Sequence, residues 1–169
     1  MALSRFFPVQ GIHLGAGGTY AAFNQSTLPL AGQLGFISED GGKVYRLVLR
    51  NNTADVATVA GHVAVWKDRD NFVVSSKASE SQAGVNAVAG AFLGVITNAN
   101  YCFVQIGGKQ NCLVAASVAA GDKLTGPTTD GTFVRNAAAT AAPDEPWAIA
   151  YTAISGGKAD VQWLTGKLI

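Results

Sequence analysis

The chain has 169 residues, with 12 Lys and Arg against 11 Asp and Glu and a formal net charge of +1. It has no basic cluster, which excludes nucleic-acid binding by counterion release as a main activity. Charged residues make up 14% of the chain, against about 25% in an average globular protein. A surface so poor in charge is either largely covered by partners or belongs to a bland Ala- and Gly-rich β-domain. The longest apolar stretch, residues 87–96, is too short and too Gly-rich to cross a membrane as a helix. Residues 1–8 lack the apolar core of a signal peptide. The expectation is one soluble protein, without a membrane partner, synthesised in a cytoplasm.

Residues 1–38 carry a single charged side chain, Arg5, and are rich in Gly, Ala, Ser, Thr, Asn and Gln. Phe6, Phe7, Ile12, Leu14, Tyr20 and Phe23 punctuate this segment as apolar anchors. A disordered tail has fewer such residues and more charge. The segment therefore reads as an extended arm that another surface must order; the competing reading makes it the first strands of the same domain. The expected division is an arm over 1–38 and a β-domain over 39–169.

The tripeptide Gly-Gly-Lys occurs at 41–43, 107–109 and 156–158, each time between β-prone apolar runs. Glycine tolerates the positive φ that two-residue hairpin turns need, so three hairpins are predicted. Residues 34–37 and 43–49 flank the first turn. Within 43–49, Val44, Arg46 and Val48 share one face and Tyr45, Leu47 and Leu49 the other, the second set being the expected core face. Residues 60–66 and 72–74 are further strands around a charged loop at 67–70, and 75–82 reads as a polar, solvent-facing loop. Residues 88–96 read as a buried strand with glycine breaks.

Strands at 101–106 and up to Val114 flank the second Gly-Gly pair and carry the two cysteines, Cys102 and Cys112. A two-residue loop at 107–108 turns their sulfurs to opposite faces; a three-residue loop at 106–108 sets them opposite each other. Reduced cytosolic thiols favour two free, buried cysteines. Residues 118–124 turn into a short strand, Asp130-Gly131 turns into 133–135, and 137–142 links to the last hairpin, with Pro143 and Pro146 halting any helix. The fold class is all-β: a β-sandwich or small, jelly-roll-like β-barrel with an extended N-terminal arm.

Catalytic chemistry has little support. His13 and His62 form no zinc-binding spacing, and no G-x-S-x-G elbow exists. Gly15-Ala16-Gly17-Gly18 lacks the third glycine of a dinucleotide fingerprint, where Tyr20 stands instead. The expectation is no enzyme, no cofactor and no metal. Trp66, Trp147 and Trp163 read as core or interface anchors, with a sugar-stacking platform as the competing use.

Residues 90–138 carry a family resemblance. Gly94-Val95-Ile96, Tyr101-Cys102-Phe103-Val104-Gln105, Ala120-Gly121-Asp122-Lys123-Leu124 and Asp130-Gly131-Thr132-Phe133-Val134-Arg135 follow one another. This succession resembles the C-terminal half of bacteriophage capsid decoration proteins, also called cement or head-stabilising proteins. The resemblance covers about half the chain and rests on turn chemistry. It implies a structural virion protein on the outer capsid surface, a homotrimer or a dimer, clamping neighbouring major capsid protein subunits. In that setting Phe6, Phe7, Ile12, Leu14, Tyr20 and Phe23 become candidate capsid-binding residues. The alternative is a carbohydrate- or receptor-binding β-module of a virion, such as a head fibre or tail accessory.

Overall fold

The computed structural model describes residues 20, 23–27, 34–53, 57–82, 88–136 and 146–164. Among them the chain is all-β, apart from short 3-10 turns such as Ala78–Glu80. The strands are β1 (Asn24–Gln25), β2 (Ile37–Asp40), β3 (Lys43–Arg50), β4 (Val63–Asp68), β5 (Val73–Ser75) and β6 (Val88–Phe92). They continue with β7 (Tyr101–Gly107), β8 (Lys109–Leu113), β9 (Lys123–Thr129), β10 (Thr132–Arg135), β11 (Ala148–Ala150) and β12 (Lys158–Trp163).

The first sheet runs β1-β7-β6-β4-β5-β3-β2, and β7 also pairs with β3. That extra ladder, from Val44↔Gly107 to Leu49↔Tyr101, closes β3, β5, β4, β6 and β7 into a barrel, which removes the open edges a flat sheet would leave. One pairing in the ring, β3 with β5, is parallel; the others are antiparallel. β2 and β5 share one edge of β3, and β1 and β6 share one edge of β7. β1 and β2 are thus annexes where the long strands outrun the ring. The second sheet is antiparallel in the order β10-β9-β11-β12-β8. A bridge between Val114 and Phe133 draws its two ends together.

Two of the three Gly-Gly-Lys sites are the hairpin turns that the glycines predict. Asp40 pairs with Lys43 around Gly41 and Gly42, whose φ are 57° and 76°. Ser155 pairs with Lys158 around Gly156 and Gly157, at 59° and 78°. The second site differs. β7 belongs to the barrel and β8 to the other sheet, where β8 pairs with β12. The chain turns a corner there instead of folding back, with Gly108 at φ 78°. Gln105 is buried at this corner and its Nε2 donates to the carbonyls of Gly107 (2.8 Å) and Lys109 (3.1 Å). Neither hairpin register weighed for the cysteines therefore applies. Cys102 faces Val48 across the barrel seam, and Cys112 faces Ala159 in the second sheet.

One hydrophobic cluster joins the two sheets. Val48, Trp66, Cys102 and Val104 from the barrel are continuous with Leu124, Phe133, Val161 and Trp163 from the second sheet. β12 shows the alternation that places Ala159, Val161 and Trp163 inward. β3 departs from expectation, because both its faces are covered. Val48 sits in the shared core with Arg46 and Arg50 buried on the same side, while Tyr45 and Leu47 enter a second, smaller cluster with Phe23 and Phe103. A strand whose faces are both covered has lost the solvent face that a period-2 reading assumes.

Candidate functional site

The smaller cluster fastens the N-terminal segment to the body. β1 pairs Asn24 with Cys102 and Gln25 with Tyr101. This lays Phe23 over the outer face of the barrel, where it is 2% exposed and meets Phe103 edge-on at 5.3 Å. Tyr20, half-buried, stacks on Tyr45 with ring centroids 4.3 Å apart and planes 12° from parallel. It also meets Phe103 edge-on at 5.0 Å. Offset-stacked and edge-to-face rings gain about 0.5–1.5 kcal/mol per pair beyond area burial. The Tyr20 hydroxyl shares a 2.5 Å hydrogen bond with Ser38 Oγ. Burial, then Asp40, then Tyr20 raise the pKa of the Tyr45 phenol.

Asn24 locks the same root. Its Nδ2 donates to Thr97 Oγ1 (3.2 Å), and its Oδ1 accepts from Thr97 N (3.2 Å) and Asn100 Nδ2 (2.7 Å). Sequence reasoning passed over Asn24, because it stands in a polar run with no local pattern. Its partners lie more than 70 residues downstream.

Of the six candidate capsid-binding residues, the structure brings Phe23 and Tyr20 together, on the chain's own barrel. Phe6, Phe7, Ile12 and Leu14 lie outside the described residues. The buried ring of Phe23 is committed to the body.

The remaining candidates have structural surroundings. Trp66 and Trp163 are 3% and 2% exposed, which removes the three-tryptophan platform. Trp66 carries the Arg46 guanidinium 5.7 Å from its ring centroid, and Trp163 donates through Nε1 to Gln110 Oε1 (3.1 Å). Burial, with Arg69 nearby, lowers the pKa of Arg46. Arg50 donates through Nη1 to the Ile96 carbonyl inside the barrel. Cys102 and Cys112 are free and buried; burial pushes the Cys102 thiol up to about 12 and Cys112 up as well, so neither is a ready nucleophile near neutral pH. Among the described residues, no group of three or more His, Cys, Asp or Glu side chains could hold a metal ion.

The N base of the head fibre gp8.5 of bacteriophage phi29 is a solved structure similar to this chain. The match covers 75% of this chain and 98% of that chain, at 16% identity and a TM-score of 0.48. No family model and no curated protein matches the chain. Likeness at that level transfers no residue roles, so the site rests on its own geometry.

That geometry includes two features legible only in three dimensions. Asn52, 3% exposed, ties the chain just after β3 to the end of β5: its Nδ2 donates to Ser76 Oγ (2.7 Å) and its Oδ1 accepts from Ser75 Oγ and Ser76 N, both 3.2 Å. Ser75 and Ser76 are therefore buried partners, not part of a solvent-facing loop. His62 lies against Gly131 in the seam between the two sheets, where a Cβ on that glycine would strike the imidazole.

Proposed function

We propose that the chain is a structural protein of a bacteriophage virion that sits on the outer surface of an icosahedral head. The two-sheet body stays outside the shell. The segment upstream of Tyr20, with Phe6, Phe7, Ile12 and Leu14, contacts neighbouring major capsid protein subunits and clamps them. The body assembles as a homotrimer, as the resemblance over 90–138 implies. Neither an enzymatic activity nor a cofactor enters this role.

The observation that carries the reading is the root at Tyr20, Phe23 and Asn24. A clamp transmits load only if its arm is anchored to something rigid, and this root is tied by stacked rings, a ladder and side-chain hydrogen bonds to a closed barrel. Upstream of it run 19 residues with one charged side chain and several apolar ones. A segment that orders on a partner can cover much area for few residues, and many copies on a closed shell add avidity to modest single contacts.

Deletion of residues 1–19 tests this. The truncated body should keep its thermal transition and strand content, yet co-sediment with purified heads far less than the full chain. Full occupancy of heads by the truncated protein would overturn the assignment.

A further inference from the structure

The three Gly-Gly-Lys sites, far apart in sequence, converge. Gly108 abuts the first hairpin tip: a Cβ there would collide with the Gly42 carbonyl and crowd Lys43. Lys43 and Lys109 line one open groove of about 480 Å³. Lys158, the third lysine, donates through Nζ (2.8 Å) to the carbonyl of Ala60, which also lines it. The same groove is lined by Gln105, Gln110, Asn111 and Asp160.

These planar polar groups are held in place by backbone carbonyls, by Trp163 and, for Asn111 and Asp160, by each other. Gln105 is tied through its Nε2 to two carbonyls, and Gln110 is held between Trp163 Nε1 and the Phe92 carbonyl. Asn111 Nδ2 donates to Asp160 Oδ1 (3.0 Å), and Asp160 Oδ2 lies 3.4 Å from Lys109 Nζ. The bonds made by the amide nitrogens of Gln105 and Asn111 fix the orientation of the acceptor oxygens beside them. Beside them Tyr151 is 60% exposed, with Lys109 Nζ 5.4 Å from its ring centroid.

We propose that this groove binds a saccharide that carries a carboxylate. Sugar hydroxyls both donate and accept, and fixed amide and carboxylate edges meet them without ordering cost. An exposed tyrosine ring offers an apolar face to ring C–H groups. Lys43, Lys109 and Lys158 against Asp160 and against Asp40, which stands opposite Lys43 in the β2–β3 ladder, leave one surplus positive charge, which favours an acidic ligand. An extended peptide fits less well: Leu93 is the one large apolar side chain in the lining, and peptide grooves take their specificity from apolar pockets for alternate side chains. The proposal goes beyond capsid attachment and is independent of it.

Titration calorimetry of the full chain with trigalacturonate, neutral galactotriose and a Glu-rich hexapeptide decides the matter. Trigalacturonate should bind in the millimolar range or tighter, weakening as salt rises, and the neutral trisaccharide should bind markedly less. Lys43→Gln and Tyr151→Ala, both at exposed positions, should melt like the wild type and bind trigalacturonate roughly tenfold less tightly, as expected for one lost charge-assisted or stacking contact. Absence of binding at millimolar trigalacturonate, equal binding of the neutral trisaccharide, preferential binding of the peptide, or unchanged affinity in both variants would each overturn the proposal.

Discussion

At the scale of single residues, the informative side chains are polar groups that the fold encloses. His62 is the clearest. Burial, then Lys158 and Arg50, lower its pKa from 6.5 against a weaker opposing pull from Asp130, and its buried Nδ1 has no hydrogen-bond partner among the described residues. The folded protein therefore resists protonating this ring while the unfolded chain does not. Between the unfolded value of 6.5 and the lower folded value, the unfolded state binds more protons, so stability rises with pH across that window. His62 costs no stability above it and destabilises progressively as pH falls. The thermal midpoint should drop from pH 7.5 towards pH 5, and His62→Gln should flatten that slope. Asp68, Glu80 and Asp160 have pKa values below their ordinary ones, so their contribution is lost separately, in a more acidic window.

At the scale of elements, the join between the sheets matters more than either sheet. Gly61 stands at that seam. Its N–H donates to the Phe92 carbonyl of the barrel (2.9 Å), and its carbonyl accepts from Leu113 N of β8 (3.0 Å). With φ at +88°, a Cβ at Gly61 would run into the Asn111 carbonyl. Gly61→Ala thus combines a left-handed backbone with a backbone collision. It should cost about 2–5 kcal/mol, readable as a lower midpoint in denaturant. Gly156→Ala, at a turn where a Cβ meets nothing within 4 Å, should cost no more than the backbone penalty of about 1–2 kcal/mol. Equal losses in the two variants would contradict the seam's role.

At the scale of the molecule, one core serves both sheets. Val104 and Ile106 of β7 belong to the same cluster as Val161 and Trp163 of β12, so neither sheet can open without exposing the other's apolar face. The body should unfold in one transition, with near-ultraviolet circular dichroism and tryptophan fluorescence giving the same midpoint in denaturant. Two separated midpoints would mean that the barrel and the second sheet are independent. Phe23 and Tyr20 pack on the other side of β3 and β7, in the smaller cluster with Tyr45, Leu47 and Phe103.

The all-β class, the Gly41-Gly42 and Gly156-Gly157 hairpins and the Asp130-Gly131 turn were set by local chemistry. Positive φ, β-branching and period-2 alternation act over a few neighbours, so they can be read from the chain alone. The choice of barrel over sandwich, the corner at Gly108 and the meeting of the three lysines at one groove were not. Gly107-Gly108 has the same local signal as the other two pairs. Only the competition for β8 between β7 and β12 distinguishes it, and that pairing spans about fifty residues. The Arg46 and Arg50 side chains look like solvent-facing positions until closure of the barrel encloses them. Local propensity fixed which segments extend; long-range pairing and a shared core decided which faces are covered, and so where a partner or ligand could reach the protein.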